Sequence, residues 1–412
     1  MNSRERVLAA LNFTEPDRIP VDLGAHRSSG ISAIAYNQLR KHLGLAEKPI
    51  RVYDMVQQLA IVDEDVLELF GVDCIEMGRG FLLNDSDWKS WELPDGTPCE
   101  IPYYLELEKD GEHWMLLDAE GTSVGILKKG SLYFEQNHLP LMERGIENDH
   151  FEDLEDMLGR QMWSAVAHPG AHLKMDEEGL KEMASRAKAL RESTDRAIIG
   201  LFGGNMFEIP QMLYRMDNYL LATGMYPDKV AELSENLYKI HLKNLELWMS
   251  AVGPYIDVVL FGDDLGAQQG PLISPDAYRE FYKPYHKKLW GRAKELGDVK
   301  VQLHCCGGIY ELIDELIDAG LDAFNPVQIS CRGMDPAVLK KEFGGRIGFW
   351  GGGCDTQSIL PLESPDTVKK HVQEMCSIFA PEGGFIFQQV HNILANVPPQ
   401  NIVAMMEAIH GS

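Results

Sequence analysis

The stretch Val301-Gln302-Leu303-His304-Cys305-Cys306-Gly307-Gly308 reads as a buried strand running into a glycine turn. Side chains alternate along a strand, so His304 and Cys306 share one side and Cys305 faces the other. An imidazole and a thiol on one face make two metal donors. A third ligand-type residue, Cys354, lies 48 residues beyond Cys306, after the apolar run Ile347–Gly351. Two thiolates and one imidazole suit Zn²⁺, and a set of three leaves the fourth position for water, substrate or a displaceable carboxylate, as in a catalytic site. Gly307 and Gly352, beside these ligands, leave room for a large planar cofactor or substrate. The alternative is that His304, Cys306 and Cys354 are unconnected buried residues, free cysteine being among the most buried types. Cys74, Cys99, Cys305, Cys331 and Cys376 lack such context and read as structural.

Further candidates stand at the ends of other apolar runs. Asp263 follows Ile256–Gly262 together with Asp264, where a carboxylate either orients a ligand histidine, contacts substrate, or organises a turn. Glu208, after Gly203-Gly204-Asn205-Met206-Phe207, is either the displaceable fourth zinc ligand or a solvated acid. His391 and Asn392 close the last run and either face cofactor and substrate or act as structural donors.

Eight short apolar runs must position these residues: Arg18–Gly24, Asp73–Met77, Ala197–Gly204, Ile256–Gly262, Val299–Cys305, Leu321–Val327, Ile347–Gly351 and Gly384–Val390. Helical patterns separate the later ones. Tyr310–Gly320 ends on glycine, Asp366–Phe379 follows the Ser364-Pro365 start signal, Asp228–Val252 carries apolar residues at helical spacing, and Pro398 opens a last helix. This alternation predicts a (β/α)₈ TIM-type barrel over residues 1–412, with a doubly wound open sheet as the fallback. The gap between the second and third runs is too long for a crossover, and Asp95-Gly96, Asp110-Gly111 and Glu120-Gly121 divide it into short strands. It predicts an inserted β-meander, an insertion subdomain of about residues 80–165 over the site end of the barrel. Trp88, Trp91, Tyr103, Tyr104 and Trp114 then either wall a pocket or fill the meander's own core.

Of the 412 residues, 45% are hydrophobic, enough for a sizeable core. Lys and Arg total 38 against 63 Asp and Glu, and a net charge of −25 repels phosphate backbones and anionic lipid. Nucleic acid and membrane surfaces are therefore not expected partners. Seven cysteines without an export signal predict reduced thiols and a cytoplasmic protein. Oligomeric state stays open.

With these residues in view, the chain resembles the uroporphyrinogen decarboxylase superfamily, specifically its zinc-dependent corrinoid methyltransferase branch of the O-demethylase methyltransferase I type. The likeness runs from Arg4-Glu5-Arg6-Val7-Leu8-Ala9-Ala10-Leu11 and Pro16-Asp17-Arg18-Ile19-Pro20, through Phe261-Gly262-Asp263-Asp264-Leu265-Gly266, to Val390-His391-Asn392 and Val397-Pro398-Pro399. It implies zinc on His304, Cys306 and Cys354, and a corrinoid (cobalamin) carried by a separate corrinoid protein as partner. The implied reaction moves a methyl group from a small O-methyl substrate to Co(I), and the aromatic-rich insertion favours a methoxylated aromatic donor. The alternative within the branch passes methyl from methyl-Co(III) to a thiol, and a third reading is a zinc-containing barrel that binds without turnover. Decarboxylases of the superfamily carry an Arg-Gln-Ala-Gly-Arg type stretch for their anionic tetrapyrrole, whereas Gly24-Ala25-His26-Arg27-Ser28-Ser29-Gly30 retains one arginine. That departure speaks against uroporphyrinogen as substrate.

Overall fold

The computed structural model describes residues 1–165, 170 and 172–410. Its centre is a curled sheet of seven parallel strands: β1 (Cys74–Glu76), β2 (Ala197–Gly203), β3 (Val258–Gly262), β4 (Lys300–His304), β5 (Ala323–Asn325), β6 (Gly348–Trp350) and β7 (Phe385–Ile386), paired in that order. The pairing places Gly262 beside His304 and His304 beside Asn325, so the strand ends share one rim. The expected first strand, Arg18–Gly24, is reduced to a single bridge between Val21 and Phe387. It still closes the ring: Phe387 donates to Pro20 O, Asp22 donates to Phe387 O, and Asp73 donates to Val21 O. Pro20 has no N–H to donate, and the Asp22 carboxylate accepts from Ala25 N and from Trp350 Nε1, so the chain turns away before a second bridge forms.

The helices follow their start signals. Ser364 accepts from Thr367 N ahead of Pro365–Phe379, and Asp335 accepts from Val338 N ahead of Pro336–Phe343. Pro227–Val252 buries Val230, Leu233, Leu237, Leu245 and Trp248 along one face, as the spacing predicts. Among the described residues no helix is long and apolar enough to cross a membrane.

Between β1 and β2 the chain forms antiparallel strands, as the turn dipeptides predict, yet in two sheets. Trp88–Glu92 and Pro98–Pro102 join Ile50–Asp54 and Leu59–Ala60, while Glu106–Asp110, His113–Leu117, Ser123–Leu127 and Glu135–Gln136 form the second sheet. The apolar run Cys99–Leu107 breaks at Pro102-Tyr103-Tyr104, because proline cannot donate to a continuing ladder.

Candidate active site

β4 delivers His304 to the rim, and β5 beside it delivers Asn325. The Asn325 Nδ2 group donates to Trp350 O and to Gln388 Oε1, at 3.0 and 2.8 Å. With both amide protons used, its Oδ1 faces the Ser28 hydroxyl and His304 Nδ1, the latter at 3.1 Å. An acceptor there sets the proton on Nδ1 and leaves the Nε2 lone pair free, as a metal-ligating histidine requires. His304 Nε2 lies 3.4 Å from Cys306 Sγ. A tetrahedral zinc would hold a nitrogen and a sulfur about 3.6 Å apart, so this pair already has the spacing of two ligands of one ion.

His391 completes the group. Its ligand atom and those of His304 and Cys306 all lie within 4.8 Å of one another, and the two imidazoles meet edge to face at 5.8 Å. Burial, His304 and His26 press the His391 imidazole down to about 3, so it is neutral. Asp264 stands alongside: Oδ1 accepts from Cys306 N at 2.8 Å and is 3.7 Å from His304 Nε2. Glu208 also faces this space. Its carboxyl is held above the usual range by burial and by Asp264 and Asp263, although Asn205 Nδ2 donates to it at 2.6 Å.

Cys354 lies elsewhere. β6 ends at Trp350, and the glycine turn that follows, with φ of +104° and +80° at Gly351 and Gly352, carries Cys354 into the apolar core. Its Sγ is fully buried, 3.8 Å from Asp355 O, and burial, Asp355 and Cys376 hold the thiol protonated. The structure thus gathers two of the three expected ligands; Cys354 stands outside the ligand group and does not line the cavity, although its carbonyl accepts from Val390 N next to His391.

The remaining expected site residues hold the rim together. Asp263 is fully buried and accepts from the backbone N–H groups of Met206, Phe207 and Glu208 at 2.7–3.0 Å. It also lies 3.0 Å from His286 Nε2, whose Nδ1 is 3.0 Å from the Tyr278 hydroxyl. Asp263 is therefore a positioning residue: it caps the segment that presents Glu208, and its neighbour Asp264 faces the site. A Cβ on Gly307 would fall 2.2 Å from Gly266 C, and one on Gly352 would fall 2.9 Å from Val327 Cβ. The space beside both glycines is filled by this chain rather than left for a cofactor. Asn392 Oδ1 accepts from Gly30 N and its Nδ2 donates to Gln57, tying loops together behind the cavity wall.

The site opens into a cavity of about 700 Å³ lined by Phe81, Trp163, Phe202, Trp248, Phe261 and several methionines, with His26, Asn205 and His241 among the polar groups. Tyr133, Leu158, Gln161 and Trp163, from the chain between β1 and β2, form part of this wall. The five aromatics singled out from the sequence do not reach it. Trp91 packs edge to face on Trp114, Tyr103 on Tyr104, and Trp88 is buried beneath Arg51, so they pack within that segment, with Tyr103 half exposed at its surface.

Beside the cavity, burial pushes the Glu76 carboxyl from its ordinary value near 4.5 up to about 7, opposed by Arg27 and Arg79 and reinforced by Asp54. The folded protein keeps this proton where the unfolded chain has lost it, so the group lowers stability as pH rises from about 4.5 to about 7. A shift of that size corresponds to about 3 kcal/mol. Glu76→Gln is expected to remove this part of the slope in urea midpoints measured between pH 4.5 and 8, and parallel profiles for the two proteins would contradict the assignment.

A parallel ring with its chemistry at the C-terminal strand ends is the arrangement of barrel enzymes. The uroporphyrinogen decarboxylase (URO-D) family model matches residues 167–412, and the chain belongs to that family. Among curated proteins it is similar to uroporphyrinogen decarboxylase of Legionella pneumophila (strain Corby), 27% identical over 142 residues, which are 34% of this chain and 38% of that protein. It is also similar to the methylated-thiol–coenzyme M methyltransferase of Methanosarcina mazei, 29% identical over 157 residues, 36% of this chain and 37% of that one. The chain thus spans well under half the length of the curated relatives it matches. A solved methyltransferase from Methanosarcina mazei shares the fold, with a TM-score of 0.56 and 16% identity over 100% of this chain and 99% of that one.

Proposed function

We propose that this protein is a zinc-dependent methyltransferase that moves a methyl group from an O-methyl substrate, of methoxylated aromatic type, to the Co(I) of a separate corrinoid protein. The observation that carries the reading is the His304 Nε2–Cys306 Sγ pair, 3.4 Å apart at the edge of a cavity walled by aromatic side chains. When bound, zinc supplies a Lewis acid for the oxygen that departs from the methyl carbon. His304 and Cys306 hold the ion, and Asn325 keeps the His304 lone pair turned toward it. Trp163, Phe202 and Phe261 supply flat apolar walls that orient an aromatic ring and exclude water. Glu208, which lines the cavity with its carboxyl held above the usual range, is the group we assign to donate a proton to the departing oxygen.

The same ligands serve transfer to a thiol, which the methylated-thiol relative favours as the second reading. Decarboxylation of a tetrapyrrole bearing many carboxylates fits poorly. Arg27 is the one Lys or Arg among the described residues lining the cavity, and it already lies 3.1 Å from Asp54 and stacks on Trp163. We also read residues of about 80–165 as an insertion subdomain over the site end, on the cavity residues Phe81, Tyr133, Leu158, Gln161, Trp163 and Ser164, and the protein as cytoplasmic.

The test mixes the zinc-loaded protein with a reduced corrinoid protein and a panel of methoxybenzenes, aliphatic methyl ethers and methylated thiols, or with the methyl-Co(III) form and a thiol, and follows cobalt absorption. Conversion of Co(I) to methyl-Co(III) with a methoxybenzene is expected; demethylation of methyl-Co(III) by a thiol, with no reaction of the methoxybenzenes, favours the second reading, and release of CO₂ from uroporphyrinogen without methyl transfer overturns both. Asn325→Ala is expected to weaken zinc binding about 10–100-fold, because an outer ligand partner is lost while the donors remain. Competition against a chromophoric chelator measures it, and unchanged affinity would count against Asn325 as the anchor of His304.

A further inference from the structure

We propose that the third protein ligand of the metal is His391, so that the ion sits in a set of one thiolate and two imidazoles, with Asp264 as the adjoining carboxylate. This departs from the His304, Cys306 and Cys354 set that the family resemblance implies, and it rests on the metal-dependent reading given above.

Geometry separates the two candidates. The ligand atoms of His304, Cys306 and His391 lie within 4.8 Å of one another, and all three residues line the cavity. A shift of about 1 Å in side-chain position brings such a trio onto one ion with the bond lengths that zinc adopts. Cys354 instead belongs to the apolar core, with no exposure, beneath a glycine turn that the packing of Val327 and Phe387 holds in place. A Cβ at Gly352 would meet Val327 Cβ at 2.9 Å and one at Gly353 would meet Phe387 Cε2 at 2.4 Å, so the turn is wedged between these residues. Cys354 is thus held in a wedged turn outside the ligand group, whereas His391 already belongs to it.

Topology supplies the histidine. Val390 donates to Cys354 O and Ile393 donates to Gly30 O, each at 2.8–3.0 Å, so the chain on both sides of His391 is pinned to the rim. Asn392 is held by Gly30 N and Gln57 on the other side. His391 is thereby presented to the cavity from a fixed segment, opposite the strand that carries His304. Asp264, anchored by Cys306 N and 3.7 Å from His304 Nε2, is the carboxylate oxygen nearest this pair. Borderline metals accept such a mixed nitrogen, sulfur and oxygen set.

The experiment replaces zinc with Co(II) in the full-length protein and reads two quantities: bound metal per chain, and the near-ultraviolet thiolate-to-cobalt band, whose intensity scales with the number of coordinated thiolates. The wild-type band is expected at the intensity of one thiolate, unchanged in Cys354→Ser and absent in Cys306→Ser. His391→Ala is expected to weaken Zn²⁺ binding by more than about 100-fold, a loss at or beyond that of an outer-shell partner. A two-thiolate band in the wild type, or one that halves in Cys354→Ser while His391→Ala keeps its metal, overturns the proposal and leaves the metal-dependent reading intact. Wild-type protein that takes up no metal overturns both. The wild-type intensity needs no variant to fold, and His391→Gln repeats the affinity measurement at closer size.

Discussion

Cys306→Ser is expected to abolish stable zinc binding and lower methyl transfer by about three orders of magnitude, with the fold retained. Cys306 is the one cysteine in the metal-ligand group, and its thiol is held protonated by burial and by Asp264 until a cation takes the proton's place. A serine hydroxyl is a weak zinc ligand, so the replacement removes a donor with little change of volume. Lewis-acid stabilisation of a departing oxygen amounts to several kcal/mol, and each 1.36 kcal/mol is tenfold in rate. Metal analysis and single-turnover cobalt spectra on the same preparation check this. A variant that holds zinc and turns over like the wild type would show that the ion sits elsewhere.

Asp263→Ala is expected to destabilise the fold by about 3–5 kcal/mol, the cost typical of removing one side of a buried, hydrogen-bonded charge network. Its carboxylate satisfies three consecutive backbone N–H groups, from Met206 to Glu208, and lies against His286, which stacks on Trp290 at 4.7 Å. Alanine leaves these donors buried without an acceptor. Because the same segment presents Glu208, the loss is also expected to raise KM. Urea midpoints on wild type, Asp263→Ala and Asp263→Asn check the energetics, asparagine costing less since one oxygen still accepts. Equal stability of wild type and alanine variant would remove Asp263 from its positioning role.

Much of the architecture was legible in the sequence, because buried parallel strands are apolar on both faces and their helices carry start signals that depend on single residues. Seven of the eight runs pair as strands, and Ser364 caps its helix as read. The first run is reduced to one bridge because Pro20 has no N–H and the following carboxylate is committed to a turn and to Trp350. At the site, His304 and Cys306 could be paired from strand alternation alone, a period of two that the backbone enforces. Cys354 could not be placed, since a glycine-rich turn separates it from the end of β6 and alternation does not carry through positive φ. Asn325 was missed, although a polar residue directly before Pro326, where the strand must stop, was a signal for a residue facing the rim. Asp263 and Asp264 are adjacent, so which carboxylate faces inward depends on where β3 stops, and this pattern does not reveal it.

The most direct measurement is an anomalous difference map at the zinc absorption edge from crystals of the zinc-loaded protein. A single strong peak within bonding distance of His304 Nε2 and Cys306 Sγ, at the edge of the aromatic cavity, is the result expected. A map with no peak between those two atoms, in crystals whose protein carries stoichiometric zinc, would contradict the account.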